Sequence, residues 1–419
     1  LISLLFVIVL MGPAASAANH PISFNENVYE VDIQINRSAV PALYFNDLTL
    51  KTYVGSPIQA YVSADGGQID SVLSSGHLVY STSADQVKIT VAVPSGETLP
   101  QGFGATTKTV LKDNKQWAWS HGFDDNTYLF AGMELFEQKG WRGTIYLIGE
   151  LLDERDEYWR VDLPAARRAL ENGWSLGSHS WGSQCDDPNQ SAVKRSFDKL
   201  EEIVASTTRN DYVVTAFAAP CFVSEYHPVV MDMRNNGITN VQFNESGGWH
   251  FQITETNAPA FQNGNHTALG VNFDEPIGRD FGIEYLGITE MKFRIDWAAS
   301  NSNSSRHIWY NTGAHGSQED DIAPVLDYVF DTYGPNAANT VWVAPADEIY
   351  GYILVRDFSV VTVGTAQIVS GVIASQTPTM TSTVPPIASN TPLPTSTPFP
   401  PLPPSAQNEL IFITMVMVE

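Results

Sequence analysis

Trp117-Ala118-Trp119-Ser120-His121-Gly122-Phe123-Asp124-Asp125-Asn126 is the stretch whose reading decides the fold. Trp117 to Ser120 predicts a short strand, and polar groups gather just past its C-terminal side. The same unit recurs downstream. Tyr128 to Gln138 has helical spacing, and Gly143 to Ile148 is a second strand. Leu163 to Asn172 is a helix closed by Gly173, and Trp174 to Gly177 is a third strand. Ser191 to Ala205 carries Val193, Phe197, Leu200 and Ile203 on one helical face, and Asp211 to Phe217 is a fourth strand. Farther on, Arg306 to Thr312 and Thr340 to Ala344 flank the helix Ile322 to Tyr333. Strand and helix alternating over residues 113–357 predict an α/β domain with a parallel barrel.

Upstream, residues 18–112 read as an all-β domain. Val28 to Ile35 and Val87 to Val93 alternate apolar and polar residues, while Asp65-Gly66-Gly67 and Ser75-Gly76 are turn signals. A small β-sandwich is expected there. Leu1 to Met11 is uncharged and apolar and precedes Ala15-Ser16-Ala17, so residues 1–17 read as a secretory signal peptide truncated at its start. The expected location is therefore extracellular, secreted or on the cell surface. Residues 358–374 read as a β extension, and 375–407 as a Thr/Pro/Ser-rich linker of extended, polyproline character. The apolar run in 408–419 is too short for the roughly twenty residues a bilayer needs. It reads as the start of a further segment or anchor.

The chain has 419 residues, with Lys+Arg 22 against Asp+Glu 46 and a formal net charge of -24. With no surplus of cations to neutralise phosphates, this balance argues against DNA, RNA or anionic lipid as partner. The hydrophobic share of 43% supports a sizeable core.

Active sites of parallel barrels lie at the C-terminal ends of the strands. Four polar groups fall there: Asp124-Asp125, His179 within Gly177-Ser178-His179-Ser180, the stretch Ala218-Ala219-Pro220-Cys221-Phe222, and His315 within Gly313-Ala314-His315-Gly316. Two adjacent carboxylates repel one another, and a metal ion resolves that conflict. One Asp suits a divalent cation and the other suits a base, with His179 as an imidazole ligand and His315 as a proton donor.

These motifs, in this order, resemble the polysaccharide deacetylase (NodB-homology) family of carbohydrate esterases from Trp117 to about Asp357. Phe123-Asp124-Asp125-Asn126 resembles its first motif, and Ala169 to Ser180 the helix and strand leading into its second. Phe217 to Phe222 resembles its third motif. Val341 to Ala344 with Ile349 to Tyr352 resembles its last strand and closing helix. The resemblance implies a distorted (β/α) barrel of seven or eight strands, preceded here by the small all-β domain. It also implies a divalent metal, often zinc, and an acetylated polysaccharide or oligosaccharide as partner. In that scheme Asp124 is the general base, Asp125 and His179 are metal ligands, and His315 is the general acid. The backbone N–H of Cys221 helps hold the oxyanion. The reaction removes N-acetyl or O-acetyl groups; the alternative is a weakly active or inactive glycan-binding module.

The sequence departs from the family pattern in three places. Ser183 stands where the second motif has its second histidine, and Gln184, Cys185, Asp186, Asp187 or water are the possible substitutes. Ala218 stands where many members carry an arginine that orients the base. The fourth motif has only Asp296-Trp297 as a weak match. Cys185 and Cys221 each follow a strand of the barrel; a disulfide between them competes with Cys185 as a thiolate ligand. Trp181, Phe222, Tyr226 and Trp249 lie on or after these strand-end loops, where they could stack on sugar rings.

Overall fold

The alternation in Val28 to Ile35 forms β1 (Glu26–Asn36), in which Val31, Ile33 and Ile35 are buried while Asp32, Gln34 and Asn36 are exposed. This computed structural model describes residues 26–40, 47–126, 129–153, 161–182, 190–222, 242–245, 250–253, 277–280, 282–315 and 319–369. All of them lie in one compact unit spanning 23–371. The segments read as signal peptide, linker and anchor start lie outside the described residues, as do Ser183, Cys185, Tyr226 and Trp249. No helix among the described residues is long and apolar enough to cross a membrane.

After β1 come β2 (Leu48–Tyr53), β3 (Gln59–Ala64), β4 (Gly67–Ile69), β5 (Ser71–Ser74), β6 (His77–Thr82), β7 (Gln86–Pro94) and β8 (Thr106–Lys108). They form two antiparallel sheets. One pairs β1 with β7, β7 with β3 and β3 with β4; the other has the order β5-β6-β2-β8. Ile33, Ile35, Leu48, Leu50, Leu78, Tyr80, Ile89 and Val91 from both sheets share one core. The two turns read from sequence join β3 to β4 and β5 to β6. Asp65, Gly66, Ser75 and Gly76 there all have positive φ, as tight hairpins require.

The second region opens with β9 (Trp117–Asp124), α1 (Leu129–Gln138), β10 (Thr144–Leu147), α2 (Leu163–Glu171), β11 (Ser175–Ser178), α3 (Gln190–Ala205) and β12 (Ala216–Ala218). It continues through β13 (Gln242–Glu245), β14 (His250–Ile253), β15 (Ile277–Gly278), α4 (Gly282–Ser300), β16 (His307–His315), α5 (Glu319–Tyr333), β17 (Val341–Val343) and α6 (Ala346–Phe358). The strand order is β14-β16-β9-β10-β11-β12-β13-β15, with β17 also on β9. All these pairs are parallel except β14 with β16. This is a mixed α/β arrangement with a parallel sheet curled into a half-barrel. Its two margins touch at one parallel bridge, Asp280 to Thr312.

Two strands run farther than the sequence suggests. β9 extends through Asp124 and β16 through His315, because their polar tails alternate inward and outward like the rest of the strand. The expected strand from Asp211 contracts to Ala216–Ala218. Tyr212 instead turns its hydroxyl to the backbone of Leu176 and to Asp347.

The last two strands leave this region. β18 (Val360–Val363) and β19 (Gln367–Ile368) both pair antiparallel with β1. The chain therefore returns, after the curled sheet, to complete the sheet it began. The return is fixed at α6, where Val355 packs into the β core and the Tyr352 hydroxyl donates to Thr109 O at 3.0 Å.

Outward residues of the parallel strands, including Trp117, Trp119, Phe123, Ile145, Leu147, Leu176 and Phe217, pack against the surrounding helices. The lumen holds Tyr146 with Ala216 and Ala218. Three strand glycines keep it open. A Cβ on Gly122 or Gly177 would lie 2.5 Å from the Tyr146 ring, and one on Gly313 would lie 2.8 Å from Arg279 Nε. These glycines serve close approach rather than an unusual backbone conformation.

Candidate active site

Asp124 is the last residue of β9 and points along the lumen side with Gly122. Asp125 follows with φ 75° and Asn126 with φ 57°. Two consecutive left-handed residues turn the chain sharply, so the neighbouring carboxylates part company. The turn is held by Asn126, whose Oδ1 accepts from Ile148 N at 2.6 Å while its carbonyl accepts from Val161 N at 2.7 Å. Asn126 is fully buried, which explains an amide rather than a charge at that place.

Asp124 is buried in a two-pronged ion pair. Arg279 Nη1 donates to Oδ1 at 2.8 Å and Nη2 to Oδ2 at 2.5 Å, with the two side chains 1% and 2% exposed. The Arg279 guanidinium also lies 4.7 Å from the Tyr146 ring centroid. The electrostatic conflict between adjacent carboxylates is thus relieved in part by a cation of the protein itself. Nothing in the sequence pointed to Arg279; it lies 155 residues from Asp124 and follows a strand of two residues.

Asp125 faces two imidazoles. His179 Nε2 is 3.3 Å from its Oδ1 and His315 Nε2 is 3.5 Å from its Oδ2. Both rings are fixed from behind. His179 Nδ1 bonds Ala218 O at 2.8 Å, and His315 Nδ1 bonds Glu284 Oε2 at 2.9 Å. Since a carbonyl only accepts, His179 Nδ1 carries the hydrogen, and a neutral ring would aim its Nε2 lone pair at the carboxylate. Such an approach needs a proton or a cation between the two atoms. Ligands about 2.1 Å from a tetrahedral ion stand about 3.4 Å apart, so the 3.3 Å separation of Asp125 and His179 fits a shared divalent cation. Among the described residues no group of three His, Cys, Asp or Glu side chains is arranged to hold one. Further ligands would come from outside them or from solvent.

The local charges set the protonation. Burial raises the Asp125 pKa, but the hydrogen bond and charge of His179, then His315 and Arg279, hold it below the ordinary value. Burial likewise disfavours charged His179, yet Asp124 and Asp125 outweigh it and its pKa is raised. His315 is pushed up to about 9, chiefly by its hydrogen bond to Glu284. A folded pKa above the unfolded value of about 6.5 stabilises fully below that pH, and the effect is lost as pH rises through about 9. In chelator, Glu284→Gln is expected to flatten the decline in urea stability from neutral pH to beyond 9. An unchanged decline would rule out the pair as its source.

Other sequence candidates fall elsewhere. Asp296 accepts hydrogen bonds from Tyr328 and Tyr333 at 2.5 and 2.8 Å, where α4 meets α5, and is not part of this cluster. Glu284, at the start of α4, stands against His315 instead. Its signal was hidden because the sequence between β13 and α4 carries no periodic pattern. His121 is buried, near-parallel to Phe136 at 5.5 Å, with its pKa pushed down to about 3 by burial. It is a packing residue. Trp181 is occupied by the Arg195 guanidinium 3.6 Å from its ring centroid, and Gly149 packs so close that a Cβ would lie 2.8 Å from the ring.

Cys221 lies in the short helical turn Pro220–Phe222 with φ 56° and is disulfide-bonded. Cys185, the chain's other cysteine, for which the sequence left a bridge and a thiolate ligand open, lies outside the described residues.

No protein-family profile and no curated protein matches the chain. Among solved structures it is similar to the peptidoglycan deacetylase PdaC from Bacillus subtilis, at 11% identity and a TM-score of 0.31 over 57% of this chain and 92% of that one. A family 4 carbohydrate esterase from Streptomyces lividans in complex with acetate gives 10% identity and 0.31, over 55% and 92%. A CE4 family pseudoenzyme from Bacillus anthracis gives 11% and 0.31, over 56% and 66%.

Proposed function

We propose that the chain is an extracellular, metal-dependent polysaccharide deacetylase that hydrolyses acetyl groups of a glycan. The observation that carries this reading is the facing of Asp125 and His179 at 3.3 Å, with the far nitrogen of the imidazole fixed by Ala218 O. Asp125 and His179 would hold the cation, zinc being the choice that suits one carboxylate and one imidazole. When bound, the cation supplies Lewis-acid polarisation of the acetyl carbonyl and an acidified water.

The chain's own groups do the rest. Asp124 accepts the proton of the attacking water as its oxygen bonds to the acetyl carbon. The Cys221 N–H donates to the oxyanion. His315, protonated at neutral pH, gives its proton to the leaving amine or alkoxide as the C–N or C–O bond breaks and acetate departs. The -24 charge and an aromatic share of 11% suit a neutral glycan better than an anionic one.

Acetate release from acetylated chitooligosaccharide and acetylated xylan, with zinc supplied, tests this. Asp124→Asn is expected to lower kcat by about a thousandfold or more, and Asp125→Ala to abolish stoichiometric zinc binding. A wild-type protein that binds these glycans and releases no acetate would instead be a glycan-binding module.

A further inference from the structure

We propose that Arg279 is the positioning residue of this site, reaching through the lumen to hold the carboxylate of Asp124 in one orientation. The inference rests on the deacetylase reading. Ala218, the residue at the place where related motifs carry an orienting arginine, is buried against Tyr146 and has no such side chain. Arg279 approaches from elsewhere, the segment after β15, and takes both oxygens of Asp124 at 2.8 and 2.5 Å.

The surroundings are shaped to this guanidinium. A Cβ on Gly313 would lie 2.8 Å from its Nε and 2.9 Å from Cδ and Cζ, and one on Gly122 would lie 3.0 Å from Nη1. Tyr146 lies 4.7 Å from it. The segment is tied in place next door. Gly313 N donates to Asp280 O at 2.9 Å and Asp280 N to Asn311 O at 3.0 Å. The Asp280 carboxylate accepts from Arg294 at 2.7 Å and from Tyr310 at 2.8 Å. A planar two-pronged donor fixes the rotation of a carboxylate; a single ammonium does not. Asp124 is thereby held with its plane set, while its chain neighbour Asp125 remains free to face the two imidazoles.

The test uses Arg279→Lys, which keeps the charge, and Gly313→Ala, which keeps the arginine but crowds it. Zinc affinity by calorimetry, thermal midpoint, and kcat and KM for acetate release are read on each. Both variants are expected to bind zinc within about threefold of wild type and to keep KM within about threefold. In Arg279→Lys kcat is expected to fall about a hundredfold, the loss that a misplacement of about 1 Å brings. In Gly313→Ala the fall is smaller but in the same direction. If kcat stays within threefold of wild type in both, or falls only as far as the folded fraction does, Arg279 has a merely structural part and the inference is overturned. A wild-type protein that releases no acetate overturns the deacetylase reading and the inference together, so the two failures are told apart.

Discussion

Asp124→Ala, with Arg279 left in place, is expected to destabilise the fold by about 3–5 kcal/mol, because it strands a buried cation without its partner. The pair is 1% and 2% exposed, so water cannot take over from the lost carboxylate. Burial already disfavours the charged guanidinium, and Asp124 is what outweighs it. The double variant Asp124→Ala/Arg279→Met removes both charges and is expected to recover most of the loss, since replacing a buried pair by apolar groups is often neutral or better. Urea denaturation of wild type, single and double variants checks both statements. If the single variant loses less than about 1 kcal/mol, the guanidinium finds another partner in the lumen and the pair does not hold the fold.

Reducing the disulfide, or replacing Cys221 by Ser, has the second large effect. Cys221, in the turn after β12, is disulfide-bonded, and the bridge to Cys185 that the sequence leads one to expect would close a loop of about 36 residues. In the chain-entropy account such a closure stabilises by about 4 kcal/mol. The local consequence is sharper. Ala218, three residues before Cys221, supplies the carbonyl that fixes His179 Nδ1 at 2.8 Å. Cys221→Ser is expected to lower the denaturant midpoint and weaken zinc binding together. A midpoint unchanged by dithiothreitol would remove the disulfide from the stability account.

Much of this could be read directly. Alternation gave β1 and β7 within two residues at each end, and the 3.6-residue spacing gave α1, α2 and α3, because burial of one face is a local signal repeated along an element. Asp124, Asp125, His179 and His315 lie close together because strand ends of a parallel sheet gather on one rim, so order along the chain becomes proximity. Asp296 misled because it has the right chemistry on the wrong side of α4; its two tyrosine partners come from α5. The Arg195 guanidinium over the Trp181 ring was likewise not legible in the sequence, since what covers a ring on a rim loop is decided by packing.

What the amino-acid order alone determined is the alternation of strand and helix, the placing of four chemical groups at strand ends, and a net charge of -24. Each depends on neighbours a few residues apart. What only the tertiary structure decided is long-range: Arg279 on Asp124, Glu284 behind His315, and β18 and β19 returning to β1. Those pairings join residues 31 to more than 300 positions apart, and the choice among many possible partners is made by packing, the glycines that open the lumen and the cost of an unpaired buried charge.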